Sequence, residues 1–119
     1  MIITVIGLGL IGSSMAIDLK SRGFAQNIIG VDNNAIHSET ALQLGIVDKI
    51  MEIQEGIGQA DLILLATPVD VSLRMLPKVL DQIDEQIVAD VCSAKGKLNE
   101  RVRYHQNREN FVSTHPMAG

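Results

Sequence analysis

Five short apolar runs recur along this chain: ITVIG at 3–7, NIIGVD at 27–32, DLILLAT at 61–67, QIVADV at 86–91 and NFVST at 110–114. Most are unbroken in Val, Ile, Leu and Ala instead of alternating with polar residues. A strand of that kind needs cover on both faces, which is the condition inside a parallel sheet. KIMEI at 49–53 is a shorter candidate of the same type, giving about six strands.

The stretches between the runs have helical spacing. Ile11, Met15 and Leu19 stand four apart and the pattern stops at Gly23; a second segment opens at Asn34 and closes at Gly45. Glycine just past the last periodic residue is a helix-stop signal. Val69, Leu73, Leu76 and Leu80 form one stripe of a third helix, which Pro77 is expected to kink or split, and a last helix is expected from about Ala94 to Tyr104. Strand and helix alternating at this spacing specify right-handed βαβ units. The expected architecture is therefore α/β, a doubly wound parallel sheet of about six strands. No repeat, low-complexity tract or linker divides residues 1–119, so one domain is expected.

Composition narrows the function classes. With 46% apolar and 20% charged residues the chain can bury one core. A net charge of −4 and ten scattered Lys and Arg residues argue against a nucleic-acid surface. Cys92 is the single cysteine, so no internal disulfide and no thiolate metal cluster can form. No apolar stretch approaches the roughly 20 residues that span a bilayer, and the opening MIITVIG lacks the marks of a signal peptide. A cytoplasmic setting with no membrane contact is expected. No His, Asp or Glu spacing suggests a metal site, and His37, within a predicted helix, and His105, within a polar run, read as solvent-facing.

The stretch VIGLGLIGSS at 5–14 places Gly7, Gly9 and Gly12 directly after the first strand and directly before the first helix. G-x-G-x-x-G in that position is the dinucleotide-binding fingerprint. The first glycine permits the tight turn, the second lets backbone approach a pyrophosphate, and the third lets helix and strand pack closely. The diphosphate then meets free N–H groups at a helix N-terminus, so the expected cofactor contacts are Gly7, Gly9, Leu10, Ile11 and Gly12. Asp32 ends the second strand 20 residues after Gly12. A carboxylate there accepts hydrogen bonds from the ribose 2′-hydroxyl and repels a 2′-phosphate, favouring NAD over NADP. The alternative is that Asp32 simply caps the helix starting near Asn34.

The other unusual stretches lie where predicted strands end at the ligand-binding edge of such a sheet: ATPVD at 66–70, DVCSAKG at 90–96 and STHPMAG at 113–119. Thr67 and Pro68 are expected to border the nicotinamide half of the cofactor, or to form no more than a proline turn. Ser93 reads as a helix N-cap or a functional hydroxyl, Lys95 as solvated, and His115 as a loop residue or a functional base.

Together, G-L-G-L-I-G-S at 7–13, V-D at 31–32, A-T-P at 66–68, D-V-C-S-A-K-G at 90–96 and T-H-P-M-A-G at 114–119 resemble the N-terminal half of the prephenate dehydrogenases, a family that includes arogenate dehydrogenases. The D-x-x-S-x-K-G and H-P-M-A-G pair is the selective part of the resemblance. It implies NAD-dependent oxidative decarboxylation of prephenate to 4-hydroxyphenylpyruvate in tyrosine biosynthesis. By family match, His115 takes the hydroxyl proton, a role that suits an imidazole with an ordinary pKa of about 6.5, and Ser93 bonds the substrate hydroxyl and the histidine. Relatives continue beyond this motif into a helical domain that supplies substrate-gripping arginines and most of a homodimer. The chain is therefore expected to be a truncated NAD-binding domain that binds NAD weakly and turns over no prephenate alone. Arogenate or another β-hydroxyacid as substrate, and a non-catalytic NAD-binding module, are the alternative readings.

Overall fold

The computed structural model describes residues 1–91 and 96–113. Its elements run β1 (Ile2–Ile6), α1 (Leu10–Ser21), β2 (Asn27–Val31), α2 (Ala35–Gln43), β3 (Lys49–Ile50), α3 (Ile53–Gln59), β4 (Leu62–Leu65), α4 (Val69–Gln82), β5 (Ile87–Asp90), α5 (Lys97–Arg101), a 3-10 turn (Arg108–Asn110) and β6 (Phe111–Ser113). The six strands form one sheet in the order β3-β2-β1-β4-β5-β6, and every neighbouring pair is parallel. Successive strands are laid outward from β1 to β3, then outward from β1 again on the other side through β4. The crevice between these two halves is the switch point where open α/β sheets hold their ligands.

The unbroken apolar strands feed two cores. Ile3 and Val5 of β1, Ile28 of β2 and Leu64 of β4 pack with Ala16 of α1 and Ala41 of α2 on one face. Ile6 of β1, Ile63 and Leu65 of β4 and Val88 of β5 pack with Ile57 of α3, Leu76, Val79 and Leu80 of α4 and Leu98 of α5 on the other. Alternate residues of one strand thus serve opposite cores, as the period of a strand requires.

The helix ends follow the sequence signals. Gly23 and Gly45 both adopt left-handed φ, +77° and +72°. At each, the glycine N–H and the next residue's N–H return to the last-turn carbonyls: Gly23 to Lys20 and Phe24 to Leu19, Gly45 to Leu42 and Ile46 to Ala41. This is the paired closure of a Schellman cap.

Four local expectations need correction. KIMEI is not one strand: only Lys49–Ile50 pair with β2, and Ile53 already opens α3. Helix α3 was not anticipated, because its sequence IQEGIGQ carries two glycines that weaken a helix. The structure gives one of them a reason. A Cβ on Gly56 would come within 3.1 Å of Val31 Cγ2 and 3.2 Å of Thr4 Cγ2, and the buried Thr4 hydroxyl donates to the Gly56 carbonyl at 2.7 Å. Helix α4 runs through Pro77 unsplit. Proline leaves the carbonyl four residues earlier without its helical donor, and that carbonyl, of Leu73, accepts from Arg101 Nε of α5 at 3.1 Å. Within the described residues α5 spans Lys97–Arg101, shorter than the helix expected to reach Tyr104.

Candidate functional site

The strands' C-terminal ends converge around the turn between β1 and α1. Gly7 N–H donates to the Val31 carbonyl at the end of β2 and Ala66 N–H to the Ile6 carbonyl at the end of β1, both at 2.8 Å. Ser13 Oγ donates back to the Leu8 carbonyl at 3.0 Å, closing the turn onto α1.

The three glycines of the turn are required for different reasons. Gly7 has φ of +100°, and a Cβ there would lie 2.7 Å from the Ala66 carbonyl oxygen. At Gly12 a Cβ would lie 1.8 Å from the Gly7 carbonyl oxygen. Both positions therefore exclude a side chain by contacts inside the protein. Gly9 is the opposite case: its φ of −72° and ψ of −161° suit any residue, and a Cβ would meet nothing within 4 Å among the described residues. Gly9 is also the N-cap of α1 and has no side chain with which to accept the first-turn N–H groups of Leu10, Ile11 and Gly12. The Leu10 and Ile11 side chains point outward, 86% and 50% exposed. The packing face of α1 is made instead by Gly12 and Ala16, small residues that let the helix lie close to the sheet.

Asp32 stands at the end of β2 with its side chain only 14% exposed. Oδ2 accepts the Leu8 N–H at 2.7 Å, and Oδ1 accepts the Asn34 N–H at 2.8 Å. It does not cap α2; that is done by Asn34, whose Oδ1 accepts from the Ile36 and His37 N–H groups. The carboxylate thus joins the glycine turn to the β2–α2 turn. His37 Nδ1 lies 3.3 Å from Oδ2, a neighbour that sequence reasoning had set aside as solvent-facing, and its side chain is about half exposed. A carboxylate accepts about four hydrogen bonds. The Leu8 N–H takes one site on Oδ2, which His37 Nδ1 also faces, and the Asn34 N–H takes one on Oδ1, so Oδ1 keeps capacity for a further donor.

Thr67 follows β4, and Pro68 is the N-cap residue of α4. Thr67 packs on the turn: its Cγ2 would be 3.1 Å from a Cβ on Gly7. Its hydroxyl is paired with that of Ser72, Oγ1 to Oγ at 2.6 Å, while Ser72 Oγ also donates to the Thr67 carbonyl at 3.1 Å. Ser72 is fully buried in the first turn of α4, on the face that Leu76 and Leu80 continue four and eight residues later. A hydroxyl at a core position of that helical stripe is the signal in the sequence that could have found it.

The structure therefore brings Gly7, Gly9, Leu10, Ile11, Gly12, Asp32, Thr67 and Pro68 to one edge of the sheet. Ser93, Lys95 and His115 lie outside the described residues. His105 departs from expectation: it is not turned to solvent but 14% exposed, with Nδ1 accepting the Asn107 N–H at 3.0 Å and Nε2 2.7 Å from Asp81 Oδ1. It is far along the chain from the glycine turn and ties the 3-10 segment to α4. Among the described residues no group of three or more His, Cys, Asp or Glu side chains converges, and no helix is long and apolar enough to cross a membrane.

Comparison with known proteins points the same way as the geometry. Residues 15–119 match the model of the family described as prephenate dehydrogenase, nucleotide-binding domain. The chain is 35% identical to a prephenate dehydrogenase of Lactococcus lactis over 98% of its own length and 34% of the relative's. Among solved structures it resembles a prephenate dehydrogenase of A. aeolicus in complex with hydroxyphenyl propionate and NAD+, with a TM-score of 0.85 and 29% identity over 99% of this chain and 42% of that one. It resembles an arogenate dehydrogenase of Synechocystis with a TM-score of 0.79 and 32% identity, over 100% and 42%. The chain thus spans about a third of the length of the curated relative.

Proposed function

The chain belongs to the prephenate dehydrogenase nucleotide-binding domain family, and on that premise we propose that residues 1–119 are the coenzyme-holding part of an NAD-dependent dehydrogenase that oxidatively decarboxylates prephenate to 4-hydroxyphenylpyruvate. The coenzyme is NAD. The glycine turn and the α1 N-terminus hold its diphosphate, with the N–H groups of Leu10, Ile11 and Gly12 as donors and Gly9 giving the close approach. Asp32 accepts from the adenosine ribose, and Thr67 and Pro68 border the nicotinamide half. Bound there, NAD supplies the hydride acceptor for the ring carbon that carries the substrate hydroxyl.

The observation that carries this reading is Gly9. Gly7 and Gly12 are demanded by the protein's own packing, whereas at Gly9 the protein leaves both the backbone and the space free for a side chain. None of the described residues fills the space that the glycine leaves beside the uncapped helix N–H groups and the Asp32 carboxylate, and the reading gives that space to the coenzyme. Gly9→Ala is expected to leave thermal stability unchanged and to weaken NAD binding about 10-fold or more. Unchanged affinity in a calorimetric titration would refute the reading.

His115 is the proposed acceptor of the hydroxyl proton, and Ser93 holds the hydroxyl and the imidazole in line with the hydride path. Chain connectivity supports the pairing. Asp90 and Ser113 are register partners on neighbouring strands, Ser93 follows Asp90 by three residues, and His115 follows Ser113 by two. Each residue reaches at most about 3.6 Å, and the segments that carry the two residues leave the sheet side by side, after Asp90 and Ser113. The reading includes a cytoplasmic homodimer whose substrate-gripping residues come from beyond this domain.

The likeness to an arogenate dehydrogenase at 32% identity favours a second reading, the same chemistry on arogenate. Turnover of the full-length enzyme with prephenate and with arogenate separates the two.

A further inference from the structure

The Thr67–Ser72 hydroxyl pair fixes a polarity at the mouth of the glycine turn. Two hydrogen bonds run between these residues, Oγ to Oγ1 at 2.6 Å and Ser72 Oγ to the Thr67 carbonyl at 3.1 Å. Each hydroxyl has one proton. If Ser72 donates to the carbonyl, its proton is committed, and the shorter bond is filled only by the Thr67 proton pointing inward at Ser72 Oγ. This is the one assignment that fills both bonds. Ser72 is fully buried at the start of α4, so water cannot substitute for either partner. Thr67 is half-buried and packed on Gly7, and with its proton turned to Ser72 its Oγ1 has only lone pairs left for a further partner.

We propose that Ser72 is a positioning residue for coenzyme binding. It locks the Thr67 hydroxyl as an acceptor, and the group of the coenzyme that Thr67 meets is a hydrogen-bond donor of the nicotinamide riboside half. The inference rests on the coenzyme site proposed above. It narrows that site, because a diphosphate offers only acceptors at neutral pH. Oxygen lone pairs facing phosphate oxygens repel, so Thr67, although it touches the turn that holds the phosphates, is not one of their ligands. Two donors are available on that half: the carboxamide N–H and the ribose O–H.

The test compares two probes on the same protein. ADP keeps the adenosine and diphosphate of NAD and lacks the nicotinamide riboside. Thr67→Val keeps the side-chain shape without the oxygen, and Ser72→Ala frees the Thr67 hydroxyl to rotate. Thr67→Val is expected to bind NAD+ about 3- to 10-fold more weakly, the range for one lost hydrogen bond, and Ser72→Ala, which loses only the orientation of the acceptor, about 2- to 3-fold more weakly, with ADP affinity unchanged in both; no loss in Ser72→Ala would overturn its positioning role. Thr67→Ser, which keeps the oxygen, is expected to bind NAD+ as the parent does.

An equal loss for ADP and NAD+ would overturn the proposal, because the hydroxyl pair would then serve the fold or the phosphates. No loss in Thr67→Val would overturn it as well. Failure of the parent protein to bind either probe would instead sink the site reading, and is distinguishable for that reason. Repeating the comparison with 3-acetylpyridine adenine dinucleotide, which has no amide N–H, locates the donor. If the Thr67→Val deficit disappears, the partner is the carboxamide; if it persists, the partner is the ribose hydroxyl.

Discussion

The two edges of the sheet use the same bond for different ends. At the edge where strands begin, carboxylates accept from N–H groups at the strand starts: Asp61 Oδ2 from Ile2 at 2.7 Å and Asp48 Oδ2 from Ile28, the second residue of β2, at 2.8 Å. Gln86 Nε2 donates to the Ile57 carbonyl, and Asn110 Nδ2 donates to the Gln86 carbonyl. That edge is closed by its own side chains. At the edge where strands end, Asp32 likewise accepts backbone N–H groups, of Leu8 and Asn34, but the turn that it holds is kept open. Gly9 faces clear space and α1 has no side-chain cap. A carboxylate on a backbone amide therefore does not mark a site. What marks it is polar capacity left over once the fold has been satisfied, as at Asp32, α1 and Gly9.

Within the open edge, packing and function are separable, and the largest expected effect tests this. Gly12→Ala puts a Cβ 1.8 Å from the Gly7 carbonyl oxygen, a backbone atom that cannot step aside. It should cost about 3 kcal/mol or more, seen as a large fall in the thermal midpoint. Gly9→Ala, three residues earlier, should leave that midpoint where it is. Equal midpoints for the two variants would erase the distinction drawn between these glycines. Asp32→Ala comes next. It removes acceptors for the ribose and for two turn N–H groups, so NAD affinity should fall about 10-fold or more, at about 1.5–3 kcal/mol for a hydrogen bond to a charged group. Loss of its negative charge should also narrow the gap between NAD and NADP, read from titrations with both. A preserved preference for NAD would show that Asp32 holds the turn and does not read the ribose.

Much of this was legible in the residues because the physics is local or periodic. Strands covered on both faces must be mostly apolar, and β1, β2, β4 and β5 are, with Thr4 the polar residue inside β1 and Asn27 and Asp90 at the ends of β2 and β5. Helices α1 and α2 stop at glycines in the only conformation that makes glycine favourable there. The glycine turn and Asp32 were legible because their spacing follows from the geometry of one βαβ unit. What stayed hidden depends on contacts between distant segments. Helix α3 looks weak until Thr4 and Val31 are seen pressing on Gly56. Pro77 looks like a break until Arg101, 28 residues away, is found on the Leu73 carbonyl. His37 and Ser72 become part of the site only once a helix start folds them back onto Asp32 and Thr67. No single-residue property announces such partners.

The smallest expected effect belongs to the closed edge and depends on pH. Lys20 Nζ donates to Asp48 Oδ1 at 2.7 Å, and this bond, followed by the Ile28 N–H, holds the Asp48 carboxyl below the usual carboxylate range. A carboxyl whose folded pKa is depressed binds its proton more readily when unfolded. Its stabilisation is therefore present above the unfolded value and is lost as the pH falls through the folded one. Both partners are about a third exposed, so screening keeps the contribution modest. Asp48→Asn should lower stability by about 0.5–1 kcal/mol near neutral pH, with the difference from the parent shrinking in acid as Asp48 is protonated. NAD affinity should not change, since Asp48 sits at the opposite end of β2 from Asp32. A clear loss of NAD binding in Asp48→Asn would mean that the two edges are coupled through β2, and that the division between a closed structural edge and an open functional one does not hold.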